Sequence, residues 1–163
     1  MSKIKILFVC LGNICRSPLA EAVFKHKINA KGLDKFIVAD SCGTANYHVG
    51  DTPDPRTIAN AKKNGVNIDH CGRQLKPADL EHFDFILAMD TSNYNNIMRL
   101  QNAAKHASKI MMMREYDPQG TGDVPDPYYG GERHFQEVFD ILDRTMDAFV
   151  KHLEEVRLPS LKA

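Results

Sequence analysis

The chain has no net charge, no long apolar run and no CxxC pair, and each absence excludes a class of protein. Lys and Arg together number 21, as do Asp and Glu, so no overall field draws the chain to nucleic acid or to an anionic membrane. No segment supplies the roughly 20 apolar residues of a membrane span, and the N-terminus enters a strand pattern without a cleavable signal. We expect a cytoplasmic protein with no nucleic-acid and no membrane partner.

The cysteines lack the spacing that is typical of a disulfide framework. A chain of 163 residues needs no disulfides to fold, so reduced thiols are expected. A metal site that joins Cys42 and Cys71 with His48 and His70 is an alternative, but the ligand spacing of zinc knuckles is missing. We therefore expect neither a metal nor another cofactor.

Strand-length apolar runs alternate with segments of helical period, which predicts βαβ units and a parallel sheet. The predicted strands begin at residues 3, 35, 84 and 108, and the predicted helices cover 18–31, 54–64, 91–101 and 131–154. Because the strands are apolar almost throughout, helices must cover both faces, which gives an α/β sandwich of three layers. The length suits one domain over residues 1–157, followed by a short C-terminal tail at 158–163.

Polar residues end three of these strands. They are Cys10, Ser41 and Asp90, and ligands of such sheets bind at the carboxyl ends of the strands. The polar segment 114–133, rich in Gly and Pro, is long for a connection in a compact domain, which indicates a functional loop or disorder. We expect the functional site at this edge of the sheet.

The first strand runs into the segment CLGNICRSP, residues 10–18, which has the features of a phosphate-binding loop. Gly12 and Asn13 tolerate positive φ and let the chain curl, and Pro18 suits the first position of the next helix. A curled loop before a helix directs backbone N–H groups and the positive end of the helix dipole at one point. That point favours a tetrahedral oxyanion.

Two side chains give the loop its chemistry. A thiol near a helix N-terminus and a guanidinium has a pKa below the free value of about 8.5, so Cys10 is expected to be a thiolate. The planar fork of Arg16 can hold two phosphate oxygens, and Ser17 can donate a hydrogen bond to the sulfur. The spacing alone also permits an inert buried cysteine and a surface arginine. The expected phosphate-binding residues are Leu11, Gly12, Asn13, Ile14, Cys15, Arg16 and Ser17.

The chain resembles the low-molecular-weight protein tyrosine phosphatase family. The segments VCLGNICRSPLAEAVF, PDPR, DHCGRQL, AMDTSN and VPDPYYGG occur in the family's order between residues 9 and 131, so the resemblance covers essentially the whole chain. It implies a flavodoxin-like sheet of order 2-1-3-4 and hydrolysis of protein phosphotyrosine through a phosphocysteine. A monomer is expected, because the domain is neutral and has no obvious apolar surface stripe.

The resemblance also implies roles for single residues. Asp126 in the DPYY motif is the implied general acid, although the residues alone leave Asp117 and Asp123 open. Asn13 is implied to be held by Ser41 and His70.

Asp90 is implied to orient Arg16. Tyr47, Tyr128 and Tyr129 are expected to form an aromatic wall for a phenyl phosphate, with packing within the loop as the alternative for the last two. Family members often have tryptophan where this chain has Tyr47, which predicts a shifted substrate preference.

Other activities are alternatives. An arsenate reductase of the same fold relays electrons through two further cysteines, but Cys42 lies far from Cys71 in sequence and the DPYY loop is intact. Protein arginine phosphatases carry Thr in the loop where this chain has Ile14, and apolar Ile14 favours an aryl substrate. A flavodoxin-like module that only binds phosphate gains nothing from an ionised sulfur.

Cys15 is implied to form a reversible disulfide with Cys10 that protects the nucleophile from overoxidation. Hydrogen peroxide is therefore expected to inactivate the protein and a thiol reductant to restore it, whereas a Cys15→Ala variant should be inactivated irreversibly. Activity measured before and after reduction tests this. Unchanged recovery in the variant would remove the role from Cys15.

Overall fold

A computed structural model, which describes residues 3–159, shows one four-stranded parallel sheet in that part of the chain. The strands are β1 (Ile4–Cys10), β2 (Ile37–Gly43), β3 (Phe85–Ala88) and β4 (Ile110–Met112), in the order β2-β1-β3-β4. The predicted α/β fold and the order 2-1-3-4 are confirmed. Because the strands are parallel, their carboxyl ends meet at one edge, where Cys10 pairs with Gly43.

Helices cover both faces of the sheet and give the three layers. They are α1 (Arg16–Ala30), α2 (Pro55–Lys63), α3 (Pro77–His82), α4 (Thr91–Met98) and α5 (Glu132–His152). Side chains of β1 alternate between the layers: Ile6 and Phe8 pack with α1 and α5, whereas Leu7 and Val9 pack with α3 and α4. None of the helices within residues 3–159 has the length and apolarity that a membrane span requires. The monomeric state and the cytoplasmic location stay predictions.

The helix boundaries differ from the prediction in two places. Pro18 is the third residue of α1, not the first as predicted, because the helix already begins at Arg16. A missing N–H is still tolerated there, since the first four N–H groups of a helix have no partner within it. The short helix α3 was not predicted, because six residues are too few to show an apolar period.

The packed chain extends beyond the predicted domain boundary at residue 157. A π-helical turn (Leu153–Arg157) continues α5, and Leu158, only 1% exposed, belongs to the core. The predicted tail therefore begins inside the packed domain. From residue 160 onward the tail lies outside the described residues.

The long polar segment 114–133 is held against α5 by Asp117. Its carboxylate accepts hydrogen bonds from Nε of Arg144 (2.9 Å), Nε of Arg114 (2.9 Å) and the N–H of Gln119 (2.9 Å). Burial by itself raises the pKa of Asp117, but these hydrogen bonds outweigh burial and lower the pKa to about 2. The segment is therefore ordered by a buried ion pair.

An Asp117→Asn variant is expected to lose about 2 kcal/mol of stability near neutral pH. The fall of the pKa of Asp117 to about 2 corresponds to that much extra stabilisation of the ionised carboxylate in the folded chain. Since the folded pKa lies below the unfolded value, the contribution is present above about pH 4 and is lost as pH falls towards about 2. Urea unfolding of both proteins across this range measures the difference. A gap that does not change with pH would contradict the ion-pair origin.

Candidate active site

The loop between β1 and α1 contains the first predicted site residues. Cys10 ends β1 with 3% of its surface exposed, and residues 11–15 make the turn into α1. Asn13 is left-handed, with φ of 58°, whereas Gly12 is not among the residues of positive φ. The expected use of positive φ is thus wrong for Gly12, where glycine provides space: a Cβ there would stand 3.2 Å from Cδ2 of His48.

The sulfur of Cys10 lies at the base of this loop. It accepts a hydrogen bond from the backbone N–H of Asn13 at 3.3 Å and lies 3.0 Å from Oγ of Ser17. Ser17 is completely buried and its hydroxyl also lies 3.3 Å from the carbonyl oxygen of Cys42. These contacts hold the sulfur in one position below the loop.

The side chain of Asn13 ties the loop to the rest of the fold. Its Nδ2 donates to Oγ of Ser17 (2.8 Å) and Oγ of Ser41 (3.1 Å). Its Oδ1 accepts from the backbone N–H of Arg73 (3.0 Å) and lies 2.7 Å from Nε2 of His70. The contacts that the resemblance implied for Asn13 with Ser41 and His70 are therefore present.

Glu21 supports these partners from below, and the sequence reasoning missed it. It is 4% exposed, and its Oε1 accepts from Oγ of Ser41 (2.7 Å) and lies 3.2 Å from Nδ1 of His70. Its Oε2 accepts from Nζ of Lys25 at 2.5 Å. A charged residue in the apolar stretch PLAEAVF was a signal for such a buried partner.

The alternative metal site of Cys42, Cys71, His48 and His70 is not assembled in the described part of the chain, where these four residues do not bring their ligand atoms together. Within residues 3–159, one group has side-chain ligand atoms close enough to hold a metal: Glu21, Asp40 and His70. Each of these already has protein partners, Asp40 through Nε of Arg73 at 2.9 Å.

Arg16 is a buried cation beside the loop, with 3% of its surface exposed. Its Nη1 donates to Oδ2 of Asp90 (2.6 Å) and to the carbonyl oxygen of Val124 (3.1 Å). Burial by itself lowers the pKa of Arg16, but the nearby sulfur of Cys10 and the Asp90 carboxylate outweigh it and raise the pKa. Arg16 therefore keeps its charge, and Asp90 has the orienting contact that the resemblance implied.

The structure distinguishes the three loop aspartates that the residues alone left as candidates for the general acid. Asp117 is bound by arginines, and Asp123 is bound by Thr91. Asp126 lines the pocket above Cys10, with Oδ2 at 3.7 Å from Nη2 of Arg16. Its side chain is 48% exposed, and its Oδ1 accepts from the N–H of Tyr128 at 3.1 Å. Asp126 alone of the three faces the pocket.

The segment before Asp126 is hydrogen-bonded to the residues that follow β3. Oδ1 of Asp123 accepts from the N–H (2.9 Å) and from the hydroxyl (2.8 Å) of Thr91. The N–H of Val124 donates to the carbonyl oxygen of Met89 at 2.7 Å. Sequence reasoning missed Thr91, since no local pattern links it to a residue 32 positions away.

The pocket above the sulfur has a volume of about 330 Å³. Its lining includes the three tyrosines that were predicted to form an aromatic wall. Of the expected phosphate-binding residues, Asn13 and Ser17 do not line it and act from beneath, Asn13 through its backbone N–H and its side chain and Ser17 through its hydroxyl. His48 also lines the pocket and was not predicted. The pocket residues are Cys10, Leu11, Gly12, Ile14, Cys15, Arg16, Tyr47, His48, Asp126, Tyr128 and Tyr129.

The thiol of Cys15, the second cysteine of the loop, is not ionised as a nucleophile would be. Burial raises the pKa of Cys15 to about 12, and the nearby carboxylate of Asp54 acts in the same direction, while the hydroxyl of Thr57 opposes it. Cys15 is therefore a protonated thiol at neutral pH. It lines the same pocket as Cys10.

Known proteins resemble this chain over nearly its whole length. A model of the family described as low molecular weight phosphotyrosine protein phosphatase matches residues 5–158. A curated relative of that name from Schizosaccharomyces pombe is 46% identical, over 92% of this chain and 97% of the relative. A protein tyrosine phosphatase structure from Entamoeba histolytica superposes with a TM-score of 0.89 and 41% identity, covering 94% of this chain and 98% of that chain. The arginine phosphatase YwlE of Bacillus subtilis superposes with a TM-score of 0.85 and 27% identity, covering 94% and 98%.

Proposed function

The chain belongs to the low molecular weight phosphotyrosine protein phosphatase family, and we propose that it hydrolyses phosphotyrosine in proteins through a phosphocysteine at Cys10. One observation carries the proposal. The sulfur of Cys10 lies at the base of a pocket, 3.3 Å from the backbone nitrogen of Asn13, with the buried cation Arg16 beside it. A dianionic phosphoryl group in this pocket meets a nucleophile and a positive charge together.

In the first step the thiolate of Cys10 attacks phosphorus in line with the leaving oxygen. A sulfur–phosphorus bond forms as the bond between phosphorus and the ester oxygen breaks. The backbone N–H groups of the loop residues that line the pocket and the guanidinium of Arg16 stabilise the equatorial oxygens, where the transition state holds its charge. Nη1 of Arg16 is occupied by Asp90 and Val124, so Nη2 and Nε are the donors left for phosphate.

Asp126 supplies the proton of this step and takes one in the next. In its acid form it protonates the leaving phenoxide, which would otherwise depart poorly. The resulting carboxylate then removes a proton from water, which attacks phosphorus and breaks the sulfur–phosphorus bond. Inorganic phosphate is released and Cys10 returns as the thiolate, so acid and base are the same residue.

The walls of the pocket favour an aryl ester. The exposed rings of Tyr47 and Tyr129, 71% and 97% exposed, and the ring of Tyr128 stand at its entrance. Ile14 adds an apolar side chain inside the pocket. Aromatic rings stack on phenyl rings and on guanidinium groups alike, so the apolar contact of Ile14 is the feature that supports phosphotyrosine over phosphoarginine.

Among the described residues, the site lacks the two further cysteines that an arsenate reductase uses to relay electrons to its nucleophile. The relay requires two further cysteines that can reach the nucleophile, one of them on a mobile segment. Cys42 is fixed in β2 with no exposed surface, and Cys71 is exposed and does not line the pocket. Hydrolysis is therefore the reaction that the available groups support.

A Cys10→Ser variant is expected to lose hydrolysis of p-nitrophenyl phosphate by roughly 10⁴-fold or more, because the nucleophile is removed. An Asp126→Ala variant should be slower by roughly 100-fold or more, because proton transfer is lost. Asp34→Ala is the matched control, since Asp34 precedes β2 at the opposite edge of the sheet. Activity that persists in Cys10→Ser would overturn the mechanism.

The substrate class is tested with peptides that carry phosphotyrosine or phosphoarginine in one sequence. We expect phosphate release from the phosphotyrosine peptide and a labelled phosphocysteine when the reaction is quenched with acid. Preferential release from the phosphoarginine peptide would contradict the proposed substrate.

Loss of the contact between Thr91 and Asp123 is expected to impair the acid step selectively. In Asp123→Ala, kcat/KM for phenyl phosphate should fall about tenfold, the equivalent of about 1.4 kcal/mol of lost positioning, and less for p-nitrophenyl phosphate. The nitrophenolate leaves readily and depends less on a proton from Asp126. Asp123→Asn, which keeps a carbonyl acceptor, should restore most of the loss. An equal fall on both substrates would contradict the positioning role.

A further inference from the structure

A second depression of about 330 Å³ adjoins the catalytic pocket. We name it the side groove and define it by Leu11 and Tyr47, which it shares with the catalytic pocket, and by Leu75, Arg99 and Leu100. Leu11 and Tyr47 are 39% and 71% exposed and form the boundary between the two depressions. A substrate that fills the catalytic pocket therefore has the side groove directly beside its reactive residue.

The side groove carries an available positive charge. Arg99 directly follows α4 and is exposed, and its Nη1 donates to Oδ1 of Asn96 at 2.8 Å. Within residues 3–159 no carboxylate lies within ion-pair distance of Arg99, and no Asp or Glu lines the groove. The remaining guanidinium N–H groups can therefore receive an anion from outside the chain.

Apart from Arg99, the residues that line the side groove are uncharged. Leu75 and Leu100 supply apolar contact for the aliphatic part of an occupant.

We propose that the side groove binds the part of the substrate protein that flanks the phosphotyrosine, with an acidic side chain paired to Arg99. The proposal rests on the proposed function, because it places phosphotyrosine in the catalytic pocket. An extended peptide advances roughly 3.3 Å per residue, so side chains one to three residues away reach roughly 10 Å. The groove thus selects sequences in which Asp or Glu lies within three residues of phosphotyrosine.

Phosphotyrosine peptides that differ only in their flanking residues test the proposal. One peptide has Asp on both sides of phosphotyrosine, the second Asn and the third Lys. With the wild-type chain, kcat/KM for the Asp peptide should exceed that for the Asn peptide about two- to fivefold, the range of a partly exposed ion pair. This excess should shrink at high salt. An equal kcat/KM for all three peptides would overturn the proposal.

Reversal of the charge at Arg99 gives the sharper test. Arg99→Glu should invert the order, so that the Lys peptide becomes the better substrate. Lys105→Glu makes the same charge change at an exposed residue that does not line the groove, and it should keep the wild-type order. Thermal unfolding verifies that both variants are folded. An unchanged order in Arg99→Glu, or an equal inversion in Lys105→Glu, would overturn the proposal.

Failure of the proposed function is recognised separately. Hydrolysis of p-nitrophenyl phosphate, which has no flanking residues, reports on the catalytic pocket, whose lining does not include Arg99. Binding of the three peptides to a Cys10→Ser chain, measured by fluorescence anisotropy, reports on the groove without turnover. The Asp peptide should bind most tightly there, and its affinity should lose that advantage when Arg99→Glu is added. No such advantage would overturn the side groove even in an active phosphatase.

Discussion

The left-handed backbone of Asn13 is the constraint on which the site depends. Few residues other than glycine adopt a φ of 58°, and the side-chain hydrogen bonds that hold Asn13 come from α1, β2 and the segment 70–73. Its N–H then points at the sulfur of Cys10. Because the partners come from three separate parts of the chain, the loop takes its shape only when the fold is assembled.

Arg16 couples this loop to the segment that carries the proposed acid. A buried guanidinium is costly unless its charge and its N–H groups are satisfied. Asp90, which lies two residues after β3, and the carbonyl oxygen of Val124 supply that compensation, and Val124 lies two residues before Asp126. The cation is therefore held in place before any phosphate arrives, so the transition-state stabilisation that we propose for Arg16 needs no reorganisation.

The sequence allowed a prediction of the strands, the sheet order through the family resemblance, and the loop with Cys10 and Arg16, because these are adjacent residues in a local pattern. Its expectations were wrong where tertiary contacts decide. Gly12 leaves space for the nearby side chain of His48 and does not use positive φ, and Pro18 lies inside α1. Glu21 was missed because its partners lie on other elements.

What the sequence determined by itself is the set of local features: buried strands, the curled segment after Cys10 and the helix that follows it, although its start was predicted at Pro18 and lies at Arg16. Apolar period and turn chemistry act over a few residues, so they are readable without the fold. The residues alone left three loop aspartates open, and only the tertiary structure shows that Asp126 lines the pocket and that Ser17 and Arg73 join Ser41 and His70 in holding Asn13. These placements depend on parallel strands that bring residues up to 108 positions apart to one edge of the sheet, and no local pattern records such distances.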